Sequence, residues 1–252
     1  MRTFLAAAVL ASLSAMPLHA EPLALYRAGN YEKAAAEGAR LNTAPALVVA
    51  ARAVLAEAML RSPCLDCLKR AADLAQRSIG ADPGLADGHV FLAVSLGYEA
   101  RIVGVMQARL NAYPEKAKRE LDAALKDDPH NPWALAALGG WNIEIVRGGG
   151  RMLARWLYGA SVENGLRAFA ASFKAAPGNL VLPYQYALSL GGLDPEIYRG
   201  DVRDALTRAI ALKAQTAYES FAQSRARELL AALTSGDRAT FDRLVRRDQG
   251  YP

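Results

Sequence analysis

The chain has 252 residues, 30 Lys and Arg against 25 Asp and Glu, a net charge of +5 and a hydrophobic content of 52%. That apolar share excludes a disordered chain. Its 52 alanines beside only 8% aromatic residues argue against all-β and doubly wound α/β folds, because alanine is the best helix former and a poor strand former.

Residues 1–20 read MRTFLAAAVLASLSAMPLHA. Arg2 supplies a positive start, residues 4–13 an apolar stretch, and Ala20 a small residue at a cleavage position. This is the pattern of a secretory signal cut after Ala20, the alternative being an amphipathic first helix. About ten apolar residues are too few for a bilayer span. The expectation is an exported, periplasmic chain that is soluble after cleavage. The pI near 9.3 raises the question of nucleic acid. The basic residues are spread along helical segments rather than clustered, so no nucleic-acid partner is expected, and a weak membrane-surface contact is the better inference.

Cys64-Leu65-Asp66-Cys67 follows Ser62-Pro63, which reads as a helix start capped by Ser62. Two thiols in a first helical turn sit where the helix dipole favours thiolate. No βαβ pattern surrounds them, position 68 is Leu rather than the His of a haem attachment, and no second ligand pair completes a zinc site. A Cys64–Cys67 disulfide of an oxidising compartment is the first reading and a thiol-redox role the alternative. No cofactor and no metal are expected.

From residue 70 onward the chain repeats itself. Ala71, Ala117 and Gly165 each precede a proline, Pro83, Pro129 and Pro177, by twelve positions, and the prolines are 46 and 48 residues apart. Ala205 opens a fourth unit without the proline. After each proline comes a second amphipathic segment, over residues 86–99, 133–145 and 182–190, with apolar residues at steps of three and four. In Asn131-Pro132-Trp133 the asparagine suits a helix cap and the proline the first turn. Asp194-Pro195-Glu196 has the same form. Residues 97–111 and 146–161 are insertions that either extend the helices or form loops. Within the second, Arg147-Gly148-Gly149-Gly150-Arg151 reads as a flexible inter-helix loop, with an anion cradle as the alternative. The two insertions carry Arg101-Ile102-Val103-Gly104-Val105-Met106 and Met152-Leu153-Ala154-Arg155-Trp156-Leu157-Tyr158. They read as extended core, or as one basic, apolar surface. Residues 235–237 break the pattern before a short basic helix over 238–247 that reads as a cap.

These units resemble tetratricopeptide (TPR) repeats. Gly29-Asn30-Tyr31-Glu32-Lys33-Ala34 is similar to the turn and second-helix start of that motif, Leu138-Gly139 to its first-helix signature, and the three prolines to its closing proline. The period of 46 to 48 departs from the family's 34. The resemblance implies an all-α, right-handed superhelical solenoid of antiparallel helix pairs over residues 21–234, with a capping helix and tail over 235–252. It further implies a non-catalytic scaffold that binds a protein or peptide on a concave face. The family's groove positions fall on Asp87, Val90, Val94 and Tyr98, then Trp133, Ala136, Gly140, Ile143 and Glu144, then Val181, Tyr184 and Leu188. The alternative for Trp133 and the other aromatics is core packing. Asp87, Tyr98, Trp133, Glu144 and Tyr184 are the candidate binding residues. No Gly-x-Ser-x-Gly or His-Glu-x-x-His pattern points to an enzyme.

Overall fold

Several helix ends among the described residues have a local cause in a proline or a capping side chain. The computed structural model describes residues 20–252, in which twelve helices and their connecting turns account for the backbone, with no strand among the described residues. The signal-like segment lies outside the described residues except for Ala20. The helices are α1 (Ala20–Arg27), α2 (Tyr31–Leu41), α3 (Ala44–Leu60), α4 (Leu65–Ala81), α5 (Ala86–Leu110) and α6 (Tyr113–Asp127). They continue with α7 (Pro132–Tyr158), α8 (Val162–Ala175), α9 (Val181–Leu193), α10 (Arg199–Ala211), α11 (Ala217–Ser235) and α12 (Arg238–Asp248).

The three phased prolines each lie two positions beyond a helix end, after α4, α6 and α8, where a residue without an N–H cannot continue the ladder. Side-chain caps open the next elements. Asn131 Oδ1 accepts from the backbone nitrogens of Trp133 and Ala134 at 3.1 and 3.0 Å. Ser161, Thr216 and Asp237 accept in the same way at the starts of α8, α11 and α12. Two expected caps differ. Cys64, not Ser62, caps α4, its sulfur accepting from the Cys67 nitrogen. Asp194 holds a turn, accepting from the nitrogens of Glu196 and Ile197, and α10 starts later, at Arg199.

The phased small residues lie where helices cross. Ala71, Ala117 and Ala205 are all buried. The crossing of α7 with α8 is the tightest: a Cβ placed on Gly139 would lie 2.5 Å from the Phe169 ring, and one on Gly165 would lie 2.8 Å from the Ile143 side chain.

Odd- and even-numbered helices take different places. Each odd helix contacts the next odd one, α1 with α3, α3 with α5, α5 with α7, α7 with α9 and α9 with α11. The even helices α2, α4, α6, α8 and α10 each pack against the two odd helices that flank them in sequence. The row of odd helices also returns to its start. Helix α11 touches α1, a Cβ on Gly29 would lie 2.9 Å from Ala217, and Tyr218 packs with the cores of both halves. An open concave face is therefore not what the contacts describe: the inner helices face a shared interior. Helix α12 packs on α11 and α9 rather than extending the row, and the residues after it turn back inward, with Arg101 donating to the Gln249 carbonyl at 3.1 Å. The segment expected to cap one end thus also reaches the middle of the molecule.

The insertions extend the first helices of two units. Helices α5 and α7 each bend at a glycine, Gly104 (φ 81°, ψ 164°) and Gly150 (φ 74°, ψ 161°). The two kinks are 46 residues apart, one repeat period. That backbone region is open almost only to glycine. The Arg147–Arg151 stretch is therefore kinked helix, not a flexible loop, and not a cradle of turn-presented amides. Helix α5 is also long and apolar enough, by length and composition, to cross a membrane. It packs against α3, α4, α6 and α7, with Glu99 buried within it.

Two outcomes follow from these glycines. Gly139→Val should cost about 1–3 kcal/mol through overpacking against Phe169, read as a lower urea midpoint with an unchanged slope. Gly150→Ala, which meets no neighbour, should cost about 1–3 kcal/mol through backbone conformation alone. A neutral Gly150→Ala in the same urea titration would mean that the bend is not imposed by this residue.

Candidate binding cavity

The interior opens into a cavity of about 380 Å³ between α5, α6 and α7, where the core divides into small clusters rather than one large one. Its lining follows the length of α5 and α7: Phe91 and Trp133 near their starts, Tyr98 and Glu144 at mid-length, Val105 and Leu153 beyond the kinks. From Phe91 to Val105 this is about 20 Å of helix. The volume falls within the roughly 300–1,000 Å³ of small-molecule sites, which are mostly apolar with a few placed polar groups.

Arg52 is the polar group at the first end. It comes from α3, from a stretch, residues 44–56, in which it is the sole charged residue. Its guanidinium carbon lies 4.7 Å from the Tyr26 ring centre, 5.4 Å from Phe91 and 5.8 Å from Trp133. Among the described residues no carboxylate lies within ion-pair distance of it; the arginine ion pairs nearest the cavity involve Arg101 and Arg147 instead. Burial raises the pKa of the Tyr26 hydroxyl, with Arg52 opposing the shift and the Glu219 carboxylate adding to it, so the phenol stays neutral. An aromatic setting suits a planar, weakly hydrated cation.

The mid-length charges pair with one another, although the buried Arg101 Nε has no hydrogen-bond partner. Glu144 accepts from Arg147 at 2.6 and 3.2 Å, has Arg101 at 3.9 Å, and accepts from the Tyr251 hydroxyl. The Tyr251 ring is itself set among Arg147, Arg246 and Arg101, at 4.6, 5.3 and 5.8 Å. Gln249 anchors this tail, donating to the Leu188 carbonyl at 2.8 Å.

Of the five candidate residues, the structure brings Tyr98, Trp133 and Glu144 to the cavity. Trp133 serves both readings, half-buried against the core while lining the cavity. Asp87 is elsewhere, accepting from the Asn131 side chain at 3.0 Å and so supporting the start of α7. Tyr184 is buried in the core, where burial holds its hydroxyl well above the ordinary range. Ile143 and Leu188 are likewise core. The burial of Tyr184, Ile143 and Leu188 has one cause: where the inner row meets its own start, the centre fills with side chains that an open groove would present. Arg52, Phe91 and Tyr251 were not anticipated. Arg52 had a signal, a lone charge in an apolar helix; Tyr251 had none.

Cys64 and Cys67 face each other across the first turn of α4, with Cα atoms 5.3 Å apart, a separation a disulfide can span, away from the cavity lining. Among the described residues no group of three or more His, Cys, Asp or Glu side chains is placed to hold a metal ion.

Tyr113 lines the cavity from α6, and its hydroxyl donates to Glu99 at 2.9 Å. Burial raises the Glu99 carboxyl above its ordinary range, the Tyr113 hydrogen bond opposing. The folded chain therefore holds this proton to higher pH than the unfolded chain does. Stability should fall as pH rises from the ordinary glutamate value, about 4.3, through the raised folded value, and then level. Glu99→Gln should remove that decline, measured by urea unfolding at steps between pH 4 and 8; an unchanged decline would assign it to another group.

In comparison with known proteins, no family model matches the chain and no curated protein matches it in sequence.

Proposed function

We propose that this chain is a non-catalytic binding protein of tetratricopeptide-like build, exported as its first residues suggest, whose interior takes an apolar ligand bearing an anionic head. The observation that carries this is Arg52, in no ion pair among the described residues, at one end of a mostly apolar cavity whose other central charges pair with one another. A long aliphatic carboxylate matches it: the chain lies along α5 and α7, and the carboxylate meets the guanidinium between Tyr26, Phe91 and Trp133. A hydrogen bond between charged groups contributes about 1.5–3 kcal/mol, and burial of the alkyl chain supplies the rest at about 0.8 kcal/mol per methylene.

A peptide or protein ligand, the partner the repeat resemblance implies, is the second reading. It has one specific support: the chain's own residues 249–251 lie on the inner face against Tyr98 and Arg101. A partner on this reading contributes a short extended segment rather than a helix, since about 380 Å³ holds a few side chains.

The test is titration of saturated C12–C16 carboxylates, followed by calorimetry and by tryptophan fluorescence. Wild type should bind. Arg52→Gln should weaken binding by about 10- to 150-fold, and alkylamines of equal length should not compete. Equal binding by Arg52→Gln, or none by wild type, would sink the carboxylate reading.

A further inference from the structure

The kinked ends of α5 and α7 have a chemistry the cavity does not explain. Among the described residues eight large hydrophobic side chains are exposed, and seven of them lie in these two short segments. Met152, Trp156, Met106 and Leu110 are 83%, 79%, 73% and 72% exposed. A protein surface scatters such residues singly; concentration into one patch marks a contact. The two segments are neighbours, since Tyr158 stands beside Arg109 and both line the same cavity as Val105 and Leu153. Both are set off from the body of their helix by a glycine kink, Gly104 and Gly150.

Cations are interleaved with the apolar side chains. Arg109 follows Met106, and Arg151 and Arg155 flank Met152 and precede Trp156. None of the three is in an ion pair among the described residues; the α7 ion pair is made by Arg147, before the kink. Two carboxylates stand nearby, Glu115 by Tyr158 and Arg109, and Glu163 near Arg151 and Arg155. The balance is one positive charge in excess on a chain that is itself basic.

From these observations we infer that the paired tips, residues 105–110 and 151–157, dock on an anionic lipid bilayer, with Met106, Leu110, Met152 and Trp156 entering the interface and Arg109, Arg151 and Arg155 meeting the headgroups. Charge selects this occupant over a second copy of the chain: a two-fold contact through the tips would set arginines against arginines, whereas anionic headgroups complement them. Tryptophan and arginine at the edge of an apolar patch suit the headgroup level of a membrane. Docking by the tips also places the Val105–Leu153 end of the cavity toward the lipid.

The experiment is co-sedimentation of the full chain with vesicles of phosphatidylcholine alone and of phosphatidylcholine with phosphatidylglycerol at 7:3, at low and high salt. Wild type should partition onto the anionic vesicles and be released by salt. The triple variant Arg109→Gln, Arg151→Gln, Arg155→Gln should bind on the order of a hundredfold more weakly, from about 1 kcal/mol per cation. Met152→Ser with Trp156→Ser should also lose most of the binding without a change in thermal midpoint, because neither side chain is packed. All variants keep residues 1–20, so the differences report the tips. No partitioning at low salt, or undiminished partitioning by both variants, overturns the proposal. So does a dimer in light scattering that Trp156→Ser abolishes, which assigns the patch to a second copy. The carboxylate titration is independent of either result.

Discussion

The close approach of helices at small side chains is the constraint on which this molecule depends. Where α7 crosses α8, Gly139 lies against the Phe169 ring and Gly165 against Ile143, with no room for a methyl group. Ala71, Ala117 and Ala205 mark the corresponding places in other units. Close crossings let each even helix reach the two odd helices beside it, and that bridging holds the inner row in register. A larger residue at a crossing would push the pair apart, and the error would pass to the next contact in the row. The abundance of alanine is thus a packing property as much as a helix propensity.

The same inner row explains why a cavity exists at all. Its two halves have extensive cores, one over α1–α5 and one over α7–α12. They are joined by Tyr218 on one side and by much smaller clusters between α5 and α7 on the other. The longest helices, α5 and α7, stand on the weakly filled side. Their far ends bend away at glycines in equivalent repeat positions, exposing apolar side chains beyond the body of the protein. One structural choice, lengthening the first helix of two successive units, therefore produces both the cavity and the exposed tips.

Electrostatics divides the interior into satisfied and unsatisfied regions. Glu144 is enclosed by Arg101, Arg147 and Tyr251, so the carboxylate at the middle of the cavity is already paired. Arg52 has three aromatic rings about it and, among the described residues, no carboxylate within ion-pair distance. Aromatic faces stabilise a cation without neutralising it, so Arg52 keeps its capacity for an anion. That difference, between two sets of arginines in one cavity, is what makes a ligand reading specific.

Much of this architecture was legible in the chain itself. Alanine content, phased prolines and the Asn131 cap specified an all-helical chain and the helix ends near residues 81, 127 and 175, because these are local effects of backbone sterics and capping. Phased small residues located the helix crossings for the same reason: a small side chain does its work at its own position. The far ends of α5 and α7 were ambiguous, since a glycine run is compatible with either a loop or a kinked helix. Only tertiary structure decided that the inner row meets its own start, that Tyr184 and Leu188 are core while Tyr98, also buried, and Trp133 reach a cavity, and that Tyr251 returns to Glu144 across 107 positions. Those outcomes depend on contacts between elements far apart in the chain, such as α1 with α11. No single residue encodes such a contact, and the side chains that fill the centre are selected only when those elements meet.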